Sequence, residues 1–339
     1  MSAVEDKEGT TNMTRDAVPE SASMGPYASQ PRIELVAVVI PARNRADLLE
    51  KCLDSLACQT LPEGVSEILV CDDGSSEDLA ALIRTFRSRF PGIRLIKQPP
   101  KGPAAARNMG FRSSHADIFV CVDSDVICAD GFILNLVEAL RRSPDWVAAE
   151  ARIEPQGGRE SPLWDAPICE NGGRYHTAAI AYRRSAVLEA GGFDETFPLA
   201  ACEDVEFATR LMDRGTIGFV PQALVFHPRR QVRLSTHWAW RKHWKYTMIL
   251  AKRSGCLAFP GYPAGSLPRL RVALAAVVTL PAGRLLEALK YAGHNPGEGL
   301  CACTAALFDV ICGLAALPEI LFSPVRERKN YLRVEKSRV

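Results

Sequence analysis

The sequence predicts an α/β protein: a mostly parallel sheet flanked by helices, followed by a helical C-terminal extension. Three observations predict it. Between residues 33 and 128, four short apolar runs are separated by three segments of helical spacing, the order of a βαβ array. The runs are continuous rather than alternating, as in "IELVAVVIP" and "DIFVCV", which suits strands buried on both faces. Three of them stop in polar clusters, "PARNR", "DDGSS" and "DSDV", at the carboxyl ends where open parallel sheets bind ligands.

Each element follows from its residues. The first strand ends at Pro41, and the next segment places Leu48, Leu49, Cys52, Leu53 and Leu56 on one helical face. "SEILVCDDGSSED" is a second strand running into Asp72, Asp73, Gly74 and Ser75, followed by the helical "LAALIRTFRSRF" and a third strand, "GIRLIKQ". "GPAAARNMGFRSS" starts a helix at Gly102 and Pro103 and leads to the fourth strand. After the helix "GFILNLVEALRRSP" come a strand, "DWVAAEARIEPQ", and a Gly- and Pro-rich stretch from Gln156 to Gly173, suited to a loop over a site. "EDVEFATRLMDRG" is a helix with Glu203 and Asp204 at its front and Gly215 at its close, and "TIGFVPQALVFHP" is a strand delivering His227.

Length and composition bound the function. With 339 residues, 47% hydrophobic residues and a formal net charge of +2, the chain can bury a large core, and its total charge does not point to nucleic acid. Its 11 cysteines lack zinc-ribbon or disulfide-scaffold spacing and suit a reducing compartment. Residues 1–32 are poor in apolar periodicity and rich in Ser, Thr, Glu and Pro, as expected of a disordered tail. They lack the basic and apolar regions of a secretory signal, so the protein is expected to stay cytoplasmic. Neither G-x-G-x-x-G nor a Walker lysine pattern occurs.

What remains is acidic. Asp123 and Asp125 are two apart at a strand end, so strand alternation points them to one side and Ser124 to the other. Two anions there repel unless a cation lies between them. Two carboxylates suit Mg²⁺ or Mn²⁺, which would complete its shell with diphosphate oxygens and water; acidic turn residues closing a strand are the competing reading. Asp72 and Asp73 can accept from a base edge or a ribose, or simply form a turn. Arg107 could reach a phosphate or be solvated. Glu203 and Asp204 sit at a helix N-terminus, where the dipole favours ionisation, and are either a proton acceptor and its companion or capping carboxylates. His227 is a third metal ligand or a strand-end histidine.

The segments "VAVVIPARNRADLLEKCLDSLACQT", "VCDDGSSED", "GPAAARNMG", "VDSDV", "GGFDETF" and "CEDVEFATRLMDRG" occur in an order and spacing that resemble the family 2 glycosyltransferases, inverting enzymes with the Rossmann-like GT-A fold. The resemblance covers residues 34–230. It implies that Pro41, Ala42, Arg43 and Arg45 line a nucleotide pocket, that Asp73, with Asp72 beside it, contacts the base, and that Arg107 lies near the nucleotide. Asp123, Ser124 and Asp125 look like the family's DxD motif on the metal and diphosphate. Asp204 matches the catalytic base with Glu203 its companion, and His227 stands where many members carry a further metal ligand. The expected donor is a nucleotide diphosphate-sugar, UDP-sugar by default with GDP and dTDP open, and the expected acceptor a glycan or lipid-linked hydroxyl of a cell-envelope glycoconjugate. Two rivals stand beside this reading. One is a haloacid-dehalogenase-like phosphatase using Asp123 as nucleophile, although three strand–helix units precede that residue; the other is an inactive sugar-binding protein of the same fold.

Residues 231–339 differ in character. The segment "PRRQVRLSTHWAWRKHWKYTMILAKR" carries eight Lys or Arg, three Trp and no acid, which suits anionic lipid headgroups better than nucleic acid. "VALAAVVTLPAG" and "LCACTAALFDVICGLAALPEILF" are apolar but interrupted by Asp309, Pro318 and Glu319. The expectation is helices lying on or dipping into the cytoplasmic membrane face, with the basic tail "RERKNYLRVEKSR" on the same side.

Overall fold

The computed structural model describes residues 34–254, 272–322 and 331–332. The chain divides into Met1–Ile33 and Glu34–Val339; the first unit, expected to be a disordered tail, and most of the basic C-terminal run lie outside the described residues.

The first half is the predicted array: β1 Val36–Ala42, α1 Ala46–Ala57, β2 Val65–Asp72, α2 Leu79–Phe86, β3 Ile93–Lys97, α3 Pro103–Arg112 and β4 Ile118–Val122. Then come β5 Ile127–Cys128, α4 Phe132–Arg142, β6 Trp146–Gln156, β7 Trp164–Asp165, β8 Ala179–Arg183, α5 Arg184–Ala190, α6 Glu203–Met212, β9 Thr216–Pro228 and β10 Arg230–Gln231. Eight strands form one sheet in the order β3-β2-β1-β4-β8-β6-β9-β5. β1 pairs in parallel with both β2 and β4, so strand order reverses beside β1. The polar ends "PARNR" and "DSDV" therefore flank a topological switch point, where a crevice opens between neighbouring strand ends.

The antiparallel pairs of this mostly parallel sheet are gathered in one half. β8 runs antiparallel to both β4 and β6, and β5 runs antiparallel to β9. The chain returns from β6 to β8 through a loop rather than a crossover helix, and a parallel neighbour needs a crossover.

Apolar patterning accounts for the packing. β1 and β4 are buried along nearly their whole length, and α1 buries Leu49, Cys52, Leu53 and Leu56 against the sheet. Each leucine so buried contributes about 1.5 to 3 kcal/mol. On the other face α3 lies close to β1 because residue 110 is glycine: a Cβ there would come within 2.6 Å of a Val39 methyl. Phe111, Tyr182, Phe193 and Phe207 form a connected aromatic cluster, with Phe193 and Phe207 centroids 4.3 Å apart and Tyr182 and Phe207 5.3 Å apart. This cluster docks α6 under the sheet and presents its N-terminus at the strand ends.

Beyond β10 lie α7 Leu234–Trp240, α8 His243–Ser254, α9 Val272–Ala292, with a π-helical turn at Ala275–Thr279, and α10 Pro296–Phe322. Met248, Ile249, Ala276, Ala316 and Ile320 from these helices pack with Phe197 of the segment before α6. α9 and α10 are both long and apolar enough to cross a membrane by length and composition, with a third of each apolar window buried. Leu300, Leu307, Ile311 and Leu314 of α10 are exposed, whereas Ala302, Ala305, Ala306 and Cys312 face inward.

Candidate functional site

The backbone is strained where the cleft forms. Asn44 and Arg45, just after β1, have φ of 57° and 58°, and Cys202, just before α6, has φ of 67°. Side-chain-bearing residues adopt such angles at a cost, so surrounding contacts must enforce them. The first pair is held from the β2–α2 turn: Ser75 Oγ accepts from the Asn44 amide at 2.8 Å, and the Glu77 carboxylate accepts from the amides of Arg45 and Ala46 at 3.0 and 2.7 Å. Glu77 thereby caps α1 from a neighbouring loop.

Asp73 organises the next wall. Its carboxylate accepts from Gln98 Nε2, Lys101 N and Gly102 N at 2.8, 2.8 and 2.9 Å, fixing the turn that opens α3. Gly102 has φ of +99°, and a Cβ there would lie 2.3 Å from the Pro198 carbonyl oxygen; only glycine fits. Asp72 is directed elsewhere. It is buried, accepts from the Ser75 amide at 2.8 Å and lies 3.9 Å from Lys97, and it does not line the cleft.

Pro41, Ala42, Arg43, Arg45, Asp73, Arg107, Asp123, Ser124, Asp125 and His227, expected from the sequence, together line a cleft of about 510 Å³. Ser124 shares this wall with its neighbours although alternation sends it the other way, because β4 ends at Val122 and the acidic triplet is a turn.

Two charge systems meet in the cleft. The buried Arg107 guanidinium donates to Asp123 Oδ1 at 2.7 Å and to Glu203 Oε1 at 3.4 Å. Burial works against its charge, but Asp123 and Glu203 outweigh burial and raise its pKa. Burial, with the neighbouring charge of Asp204, pushes the Glu203 carboxyl up to about 8 despite Arg107, and Glu203 Oε2 has no partner among the described residues. The second system centres on Asp125, whose Oδ2 is paired with Arg230 and lies 3.4 Å from Arg45 Nη1. Burial and the nearby Arg45 charge lower the Arg230 pKa.

Asp123, Asp125 and His227 bring one ligand atom each within 4.8 Å of one another. His227 Nδ1 lies 3.1 Å from the Pro228 carbonyl, which fixes the proton on Nδ1. Burial lowers its pKa, the Asp123 charge opposing, so Nε2 carries a lone pair toward Asp125 Oδ1, 3.6 Å away. An imidazole lone pair and two carboxylates converging on one point suit a divalent cation, and the donor set fits Mg²⁺ or Mn²⁺.

Asp204 stands on the far side of Asp123. Its Oδ1 accepts from the Val205 amide at 2.8 Å, and its Oδ2 lies 3.5 Å from His176 Nδ1. Burial lowers the His176 pKa, but the hydrogen bond and charge of Asp204 reverse this and raise it overall. A second hollow of about 320 Å³, lined by His176, Thr177, Cys202, Glu203 and Asp204, shares Arg107, Asp123, Pro167 and Ala200 with the first. The two compartments thus meet at Asp123.

Sequence reasoning missed His176, Arg230 and Glu150. Glu150, buried in β6, accepts from the amides of Gly173, Arg174 and Tyr175 and shapes the loop that carries His176. A glutamate inside an apolar strand was the signal for it. Arg230 was one of many basic residues in its run, and nothing local marked His176.

The strand order and the mixed sheet define a GT-A type α/β protein. Residues 37–188 match the family model described as Glycosyl transferase family 2. It is 32% identical over 216 residues to a pre-mycofactocin glycosyltransferase of Mycobacterium tuberculosis, covering 58% of this chain and 43% of the relative. It is 26% identical over 209 residues to the glycosyltransferase AglE of Haloferax volcanii, covering 58% of this chain and 68% of that one. The chain thus spans less than half the length of the mycobacterial relative. Among solved structures, the mannosyltransferase PcManGT from Pyrobaculum calidifontis, in complex with GDP-Man and Mn²⁺, shares the fold with a TM-score of 0.55 at 19% identity, covering 86% of this chain and 88% of that one.

Proposed function

We propose that this protein is an inverting glycosyltransferase, of the hexosyltransferase type, moving a sugar from a nucleotide diphosphate-sugar to an acceptor hydroxyl. The observation that carries the proposal is the pair of compartments joined at Asp123, with a cation-lined cleft on one side and a carboxylate held at a helix N-terminus on the other.

In this reading the donor occupies the larger compartment. Asp73 keeps its wall in place, Ser124 and the DxD backbone contact the ribose–diphosphate region, and Arg43, Arg45 and Arg230 face the anionic diphosphate. Asp123, Asp125 and His227 would hold Mg²⁺ or Mn²⁺, which when bound supplies Lewis-acid neutralisation of the leaving diphosphate. Arg107 holds Asp123 in position and donates to the Glu203 carboxyl. Asp204 accepts the proton of the acceptor hydroxyl as its oxygen bonds to the anomeric carbon; the bond from that carbon to the diphosphate oxygen breaks, and its electron pair leaves with the nucleoside diphosphate. A single displacement inverts the configuration and needs no enzyme nucleophile. His176 positions Asp204, and its cationic form weakens Asp204 as a base. The phosphatase alternative requires Asp123 to be a free nucleophile, whereas the Arg107 guanidinium donates to its Oδ1.

The exposed apolar faces of α9 and α10 favour a cytoplasmic protein seated on a membrane face, where a glycan or lipid-linked acceptor of the cell envelope would be presented. The experiment is a thermal-shift screen of UDP-, GDP- and dTDP-sugars with and without Mn²⁺, since a ligand binding only the native state raises the melting temperature. A metal-dependent shift with at least one donor is expected; none with any donor defeats the proposal.

A further inference from the structure

A second cluster lies outside this site, between α7 and the two apolar helices. His237, 5% exposed, points Nδ1 at Asp309 Oδ1 2.6 Å away, and Arg284 Nη1 donates to Asp309 Oδ2 at 2.7 Å. A carboxylate only accepts, so the proton is on Nδ1. The other ring nitrogen, Nε2, is buried and has no partner among the described residues. His237 lines two adjoining chambers of about 260 and 340 Å³ that also share Asp165, Trp240 and Arg284. A buried acceptor without a donor is costly unless something enters to supply one.

The chambers connect to the candidate site through shared walls. His176 and Pro167 line both the hollow at Asp204 and a neighbouring one, and Asp165 lines that neighbour and both chambers. A continuous track of wall residues therefore leads from Asp204 to His237.

The lining selects the occupant. Arg284 is paired with Asp309 and lies over the Trp240 ring, and Arg241 donates to the Trp238 carbonyl and lies over the Trp238 ring. Asp165 lines both chambers, Asp309 the first and Glu287 the second, so no excess positive charge awaits a phosphate. Aromatic faces beside polar groups suit a neutral sugar, which stacks its C–H face on tryptophan and offers hydroxyls that donate or accept. We propose that the His237–Trp240 chamber is a distal acceptor subsite holding a neutral sugar unit of a glycan whose other end reaches Asp204. Hydroxyl donation to His237 Nε2 is the specific contact. This inference rests on the glycosyltransferase reading and names its acceptor as an oligosaccharide longer than one unit.

The full chain is titrated with tetrasaccharides of glucose, galactose, mannose and N-acetylglucosamine, following tryptophan fluorescence, and separately with inorganic phosphate and with vesicles containing a polyprenyl phosphate. A saturable change with at least one tetrasaccharide is expected, weakened about tenfold or more in both His237→Leu and Trp240→Leu. The donor-induced thermal shift should survive in both variants, which also establishes that they are folded. No change with any tetrasaccharide, a change indifferent to both substitutions, or one produced instead by phosphate or the lipid vesicles overturns the subsite. A wild-type protein that binds a tetrasaccharide but is shifted by no nucleotide sugar overturns the transferase reading and leaves the glycan site standing.

Discussion

The guanidinium of Arg230 rests on the carboxylate of Asp125, where a divalent ion and a diphosphate would have to compete with it. A cation must displace that pairing, so Arg230→Gln should bind Mn²⁺ more tightly than wild type without nucleotide. With a donor present the order should reverse, because Arg230 then serves the diphosphate. Calorimetry with Mn²⁺ alone and with Mn²⁺ plus UDP or GDP distinguishes the two. Asp125→Ala should lose the metal-dependent part of the donor shift altogether.

Asp204→Asn removes the proton acceptor and preserves its shape. Donor-induced thermal shifts should be retained, and turnover should fall by about 10² to 10⁴-fold. Near-wild-type turnover in this variant would remove Asp204 from the role of base.

His176 and Asp204 also set a pH profile. Because Asp204 raises the His176 pKa above its ordinary value, its cationic form persists to higher pH than in a free imidazole and weakens the base beside it. Turnover should rise with pH as His176 loses its proton. His176→Gln should flatten that limb, which a rate–pH profile of the two proteins measures.

Glu203 links pH to stability. Its folded pKa is raised from 4.5 to about 8, so between these values the folded state holds more protons than the unfolded one. Stability then falls as pH rises through the window. Glu203→Gln should show a shallower decline in melting temperature from pH 5 to 8 than wild type; an unchanged slope would show that Glu203 is ionised throughout. Arg107→Ala, which removes the donor to Asp123 and Glu203, should cost about 1 to 3 kcal/mol in urea unfolding.

The outer face of α10 gives a test of membrane seating. Leu307→Glu with Ile311→Glu changes two exposed side chains and leaves the inward alanines untouched. If this face enters a bilayer, the pair removes about 1.5 to 3 kcal/mol of apolar transfer per residue, and vesicle flotation should be lost without a change in melting temperature.

The amino-acid sequence determined the strand–helix array from Val36 to Val122 by itself, because continuous apolar runs and one-sided helices have few other ways to bury their surface. It also determined that Asp123 and Asp125 would close a strand and Asp204 would open a helix: carboxylates at the end of an apolar run or ahead of a helical one are local signals. Tertiary structure alone decided which ends meet. The reversal of strand order beside β1 places Arg45 near Asp125, residues 80 apart in sequence. A loop folded over the Glu150 carboxylate brings His176 to Asp204, and α10 brings Asp309 to His237, 72 residues apart in sequence. Such pairings depend on the packing of distant elements, and the spacing of neighbouring residues carries no record of them.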